Sequence, residues 1–229
     1  MANYNFLGLV NDINKKLNEV KLTSTNFDDA LGFYDDAKNA VNNAIRTINL
    51  AEYNWPHNHV TKSLVLTPDV VRYDYELDAK TVSFSTFRIR GSEAYNNRTT
   101  SLWPLDYEQY LSDYSAMEYQ PERYHSIPTM VFRTPSLQFG VLPPPDKTYT
   151  LDYEYYVLPI DLENHDDVPT IPENCRYVIF NGAMVEAYLF RGDIEASQLA
   201  QEKFEQGIKD MRKMYINRHE YTRSTAIIR

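Results

Sequence analysis

At 229 residues, the chain is long enough for one large domain or two small ones with a real core. Its 43% hydrophobic content excludes a compositionally disordered chain, and no apolar run approaches the roughly 20 residues that span a membrane. A net charge of −9 argues against a general nucleic-acid binder, and the single cysteine, Cys175, excludes both an internal disulfide and a cysteine-rich zinc site.

The opening MANYNFLGLVNDINKK has its charges after its apolar residues, with Asn and Asp interrupting them. It does not read as a signal peptide, so a soluble chain made in the cytosol is expected. Residues 4–20 carry Phe6, Leu9, Val10, Ile13 and Leu17 at spacings of three and four, one face of a helix. Leu22-Thr23-Ser24 breaks the pattern, and Thr25-Asn26-Phe27-Asp28 reads as a helix N-cap. From there Phe27, Ala30, Leu31, Tyr34, Ala37, Val41, Ala44, Ile45 and Ile48 form one stripe. Asp35, Asp36, Lys38, Asn42, Asn43 and Arg46 lie off it, which predicts an amphipathic helix of about six turns packed on one side. Pro56 ends it no later than Trp55.

The middle of the chain reads as β-structure. Strands are expected over 63–67, 71–77, 81–89, 130–133, 137–142 and 149–158, from their β-branched and aromatic content and the turn residues between them. Residues 90–100 read as a loop, DYEQYLSDY (106–114) as a short helix and Pro143-Pro144-Pro145-Asp146 as a loop. In the last strand Tyr149, Leu151, Tyr153, Tyr155 and Val157 share one face, with Asp152 and Glu154 on the other.

Helical patterning then returns. Thr170-Ile171-Pro172-Glu173 combines an N-cap threonine, a first-turn proline and a capping-box glutamate. The helix that follows carries Tyr177, Val178, Phe180, Met184, Val185, Tyr188 and Leu189, and Gly192 caps its end. A second begins at Asp193 with Leu199, Phe204, Ile208, Met211 and Tyr215. Neither helical pair buries its stripe alone. The expected fold is therefore α+β, an antiparallel bundle of N- and C-terminal helices with an inserted, mainly antiparallel β-domain. The segments are 1–60, 61–165, 166–215 and an extended tail, 216–229.

The tail region is basic, with Lys209, Arg212, Lys213, Arg218, Arg223 and Arg229 against Asp210 and Glu220. Helix C-termini favour cations, so Lys209 to Lys213 read equally as helix-end charges or as part of an interaction tail; beyond Tyr215 the pattern reads as an interaction tail. The 19 tyrosines and only 7 glycines suit a large contact surface better than a nucleotide-binding enzyme.

Candidate chemistry is sparse. His57-Asn58-His59 spells a nuclease motif, and in an extended segment the two imidazoles share a face. No third ligand is indicated nearby, so the three residues read as a polar linker. The pairs Asp28-Asp29, Asp35-Asp36 and Asp166-Asp167 read as solvated faces, and Asp113 with Glu118 only loosely suggests a glycosidase. Cys175 lies at a helix start, where a thiol pKa can fall, but its apolar neighbours favour a buried structural thiol. No cofactor, metal or catalytic residue is assigned, and the chain does not read as an enzyme.

The long helix ending AIRTINLAEYNWP, the strand and Thr67-Pro68-Asp69 after it, SLWPLDYEQYLSDY, the run PTMVFRTPSLQFGVLPPPDKTYTLDYEYYVLPIDL and the closing helix pair from VPTIPENCRYVIF resemble, in their order, the tail tubular protein A or head-to-tail adaptor family of short-tailed bacteriophages. The likeness spans about residues 24–215, with Asn-Trp-Pro where the family has Gly-Trp. It implies a virion structural protein at the head–tail interface. Such a protein forms a homo-oligomeric ring, typically a dodecamer, between the portal above and the tail nozzle, and possibly fibres, below. The ring seals the head and passes DNA without reading its sequence or meeting a membrane. On this view Arg218, Tyr221, Arg223, Ile227 and Ile228 dock into the portal, while Trp55 and Pro56 form a structural junction. The alternative is a phage-tail peptidoglycan or polysaccharide hydrolase, or a carbohydrate-binding module, using the tyrosine-rich β-region.

Overall fold

The structure, a computed structural model, describes residues 3–91, 99–119 and 121–216. Its helices are α1 (Phe6–Lys16), α2 (Phe33–Ala51), the short α3 (Tyr107–Gln109), α4 (Arg176–Phe190) and α5 (Ile194–Tyr215). The strands are β1 (His59–Leu66), β2 (Arg72–Asp74), β3 (Ala79–Ile89), β4 (Thr100–Ser101), β5 (Trp103–Leu105), β6 (Met130–Arg133), β7 (Gln138–Leu142) and β8 (Tyr149–Val157). Two compact units result, one from Met1–Asn58 with Leu158–Arg229 and the other from His59–Val157. The α+β class holds, with helices from both chain ends in one unit and the β-structure between them in sequence.

In the helical unit, Asn5 caps α1 by accepting from the Gly8 amide at 2.9 Å, and Lys15 and Lys16 sit in its last turn, where cations suit the exposed carbonyls. Phe6, Leu9, Val10 and Ile13 are buried, as their spacing predicts. The next helix starts later than the stripe suggests. Asn26 Oδ1 accepts from both the amide and the hydroxyl of Thr23, at 2.7 and 3.0 Å. This local turn competes with helix, so α2 begins only after Gly32, at φ +65°. Phe27 is still a core residue, set edge-on to Phe6 at 5.1 Å, but it enters from a loop, and Leu31 is 81% exposed.

Thr170 does not cap the third long helix. Its hydroxyl donates to Asn58 Oδ1 at 3.0 Å, and the chain enters α4 through a 3-10 turn at Glu173–Cys175. The buried face of α4 is Val178, Ile179, Gly182, Ala183, Met184 and Ala187, while Tyr177 and Leu189 of the expected stripe are exposed. The cause is crowding: a Cβ on Gly182 would lie 2.8 Å from Ala44 Cβ of α2 and 2.7 Å from the Phe204 ring of α5. Small residues therefore occupy the face that large ones were expected to fill. Phe204, Ile208 and Met211 of α5 complete this core, and Leu199 stays outside it. Asn42 adds a two-way bond to the Leu162 backbone, donating to its carbonyl at 2.9 Å and accepting from its amide at 3.0 Å.

The β-unit holds two four-stranded sheets, ordered β1-β8-β3-β4 and β2-β7-β6-β5. All pairings are antiparallel except β5 with β6. The central β8 buries Tyr149, Leu151, Tyr153 and Tyr155, and Phe87 stacks on Tyr153 at 4.8 Å. Tyrosines thus build core here as well as surface. The expected 71–77 strand is only β2, and DYEQYLSDY is α3 continued by a π turn at Tyr110–Tyr114. Tyr110 stacks on Phe132 at 3.9 Å, and that burial, rather than a helical stripe, decides the segment's shape. In the tail only Ile216 is described; residues 217–229 lie outside the described residues.

Replacing Gly182 with valine forces atoms between α2 and α5. Chemical denaturation of Gly182→Val is expected to show a loss of about 1–3 kcal/mol with an unchanged m-value.

Candidate functional site

The junction after α2 is built from INLAEYNWPHN. Trp55 is 1% exposed, and its indole donates to the Ile48 carbonyl at 2.7 Å, satisfying a helix-end acceptor that Pro56 leaves without a continuing helix. Residues Pro56–Asn58 make one 3-10 turn. In it Asn58 is buried, donating to Asn49 Oδ1 at 2.8 Å and accepting from Thr170. This polar triangle ties the end of α2 to the chain leading into α4.

His57 stacks on Trp55 at 5.5 Å and meets the Tyr215 ring edge-on at 6.5 Å. Both its ring nitrogens are buried without a hydrogen-bond partner, and burial pushes its pKa down to about 4. His59 opens β1 and faces Glu154 at 3.2 Å. Among the described residues no three His, Cys, Asp or Glu side chains are grouped to hold a metal. His57 and Asn58 are therefore packing residues, and the turn that separates His57 from β1 was invisible in the letters.

Other candidates are likewise engaged. Arg72 grips Glu118 with two 3.0 Å bonds, and the Tyr110 hydroxyl donates to the same carboxylate. That hydrogen bonding drives the Arg72 pKa up. Asp113 is exposed. Asp167 accepts from the Glu163 and Asn164 amides at 2.8 and 2.7 Å, which hold its pKa below the ordinary carboxylate value. Cys175 is buried, and desolvation pushes its thiol up, the opposite of activation. On the β-unit, Asp152 accepts from Ser63 at 2.6 Å and from Arg90 at 2.8 and 3.0 Å; His59 and Arg88 flank Glu154. These are cross-strand ion pairs of a sheet face.

What the described surface does offer is a groove on the helical unit. A cavity of about 660 Å³ between the end of α1 and the start of α4 runs into a second of about 210 Å³ toward α5. The two share Lys16 and Phe180. Tyr177, Phe180, Met184 and Tyr188 form an apolar floor, with Lys15, Lys16 and Lys203 exposed along the rim. Nothing in the sequence spacing brings Lys15 and Lys16 of α1 and Lys203 of α5 to one groove. The residues expected to dock into a portal, Arg218, Tyr221, Arg223, Ile227 and Ile228, lie outside the described residues. No helix among the described residues is long and apolar enough to cross a membrane.

A protein-family model described as SU10 adaptor protein matches residues 4–228. No curated protein matches the chain.

Two outcomes follow from the junction. Trp55→Ala removes a fully buried indole and is expected to cost about 3–5 kcal/mol in equilibrium unfolding. For His57, the unfolded imidazole takes a proton near its ordinary 6.5 and the folded one only near 4. Its contribution to stability is complete above pH 6.5 and is lost as pH falls toward 4. A His57→Phe chain keeps a ring against Trp55 and does not titrate, so its melting temperature is expected to fall less than wild type across that window.

Proposed function

The chain belongs to the SU10 adaptor protein family, a phage structural adaptor, and from that premise we propose that it is the head-to-tail adaptor of a virion. On this reading it forms a homo-oligomeric ring, a dodecamer, under the portal. The ring contacts the tail nozzle and fibres below, seals the packaged head and leaves a channel through which DNA is ejected. The observation that carries the proposal is a family match spanning nearly the whole chain, residues 4–228, so that it includes both units and the tail segment.

The physical properties support it. A net charge of −9 suits a conduit wall, because a strongly basic lining would hold passing phosphates. Glu118, Asp167 and Cys175, among the groups that first suggested chemistry, are held in an ion pair, a turn and the core, as a scaffold requires. Arg218 and Arg223 with Tyr221, Ile227 and Ile228 supply charge and apolar anchors for docking into an acidic portal groove.

A chain truncated after Ile216 is expected to keep its melting temperature and lose binding to portal rings in cosedimentation or negative-stain microscopy. Undiminished binding would show that the tail is not the docking element.

A further inference from the structure

Two surfaces of the helical unit complement one another. The first is the groove. Its floor follows α4 from the preceding turn at Glu173 to Tyr188, a length of about 22 Å at helical rise. Lys15, Lys16 and Lys203 stand on its rim, and among the described residues none of the three pairs with a carboxylate. The rim also carries Asp12, which is spent on Arg176, and Glu173 at one end. A row of unpaired lysines beside exposed Tyr177 and Leu199 is an unusual feature on a chain of net charge −9.

The second surface is the loop into α2 together with the first turn of that helix, FDDALGFYDD, residues 27–36. Asp28, Asp29, Asp35 and Asp36 are all exposed, and Asp35 engages only the Asn39 amide, at 3.5 Å. Between the two acidic pairs Leu31 projects, 81% exposed, beside Gly32 at positive φ. An apolar knob flanked by four carboxylates matches an apolar floor rimmed by three lysines. No residue of this loop lines its own chain's groove, so the match is made between copies.

We propose that the Asp28–Asp36 segment of one subunit docks in the Lys15/Lys16/Lys203 groove of the next, with Leu31 on the floor formed by Phe180 and Tyr188. The contact joins two different patches, so it is head-to-tail and propagates into a closed ring when its rotation closes. It rests on the ring reading above and assigns the surfaces that build the ring. Charge complementarity orients the subunits and excludes loop-to-loop or groove-to-groove pairing, which would oppose like charges.

The test uses the full chain, alone and on portal rings, followed by sedimentation and negative-stain microscopy. K15E/K16E/K203E and D28K/D29K/D36K chains are each expected to associate at least tenfold more weakly than wild type. Their melting temperatures are expected to fall only modestly: every substituted side chain is exposed, but Lys15, Lys16 and Asp36 each lose a favourable charge at a helix end. The chain carrying all six substitutions, with both surfaces reversed, is expected to recover association. Wild-type rings with either triple variant assembling normally would overturn this interface and leave the ring reading standing. Failure of the six-fold variant to recover would overturn the pairing. A wild-type chain that forms no ring in either setting would overturn the ring reading and the interface together.

Discussion

Gly182 has no room for a Cβ, and the helical unit is arranged around that fact. Ala44 of α2 and Phe204 of α5 press on α4 from two sides at this one residue. The contact joins a helix that precedes the β-structure to two that follow it, so the chain must bring distant segments together before either helical pair has a core. Closing so long a loop is costly in entropy, and the buried stripe of Val41, Ile48, Val178, Ile179, Phe204 and Met211 supplies the offset. Polar ties then set the register: Asn42 with the Leu162 backbone, and Asn58 with Asn49 and Thr170. Hydrogen bonds of this kind contribute modestly when made but are expensive when left unmade, so they specify one arrangement among several with similar apolar burial.

The same economy explains the junction. Trp55 closes the end of α2 by satisfying the Ile48 carbonyl, and its ring gives His57 a surface to stack on. The imidazole has no partner for either nitrogen, a cost that shows in its depressed pKa. Tyr215, at the far end of α5, covers the other side of His57 and donates to Asn174 at 2.8 Å. One aromatic cluster therefore links the close of α2, the start of α4 and the last turn of α5, immediately before the tail segment.

For an adaptor, the division between engaged and unengaged groups is informative. Glu118, Asp152, Asp167 and Cys175 are all committed to internal partners or core. Among the exposed charges, four carboxylates cluster at the entry to α2 and three lysines along the α1–α4–α5 groove. Such sorting contributes little to the stability of one subunit, since exposed charges are screened. In the interface proposed above, it would act between subunits, in orientation and in rejecting wrong pairings.

Periodicity and turn chemistry alone determined much of this protein. The stripe on α1, the termination of α2 before Pro56, the strands at 130–133 and 138–142, and the buried tyrosine face of β8 all follow from local spacing, because each element buries a face whose period its backbone imposes. The resemblance from the order of segments to a phage adaptor was also legible in the letters, whereas His57 and Asn58, read with His59 as a polar linker, pack into a turn leading straight into β1. Only the tertiary structure decided which face of α4 is buried, because the space between two neighbouring helices, and not hydrophobicity, selects Gly182 and Ala183 over Tyr177 and Leu189. It decided that Thr170 bonds to Asn58 instead of capping a helix, that Phe27 reaches the core from a loop, and that Lys15, Lys16 and Lys203 share one groove. In each case the partner lies far away in sequence, and a one-dimensional pattern reports the period of a segment but not what stands opposite it.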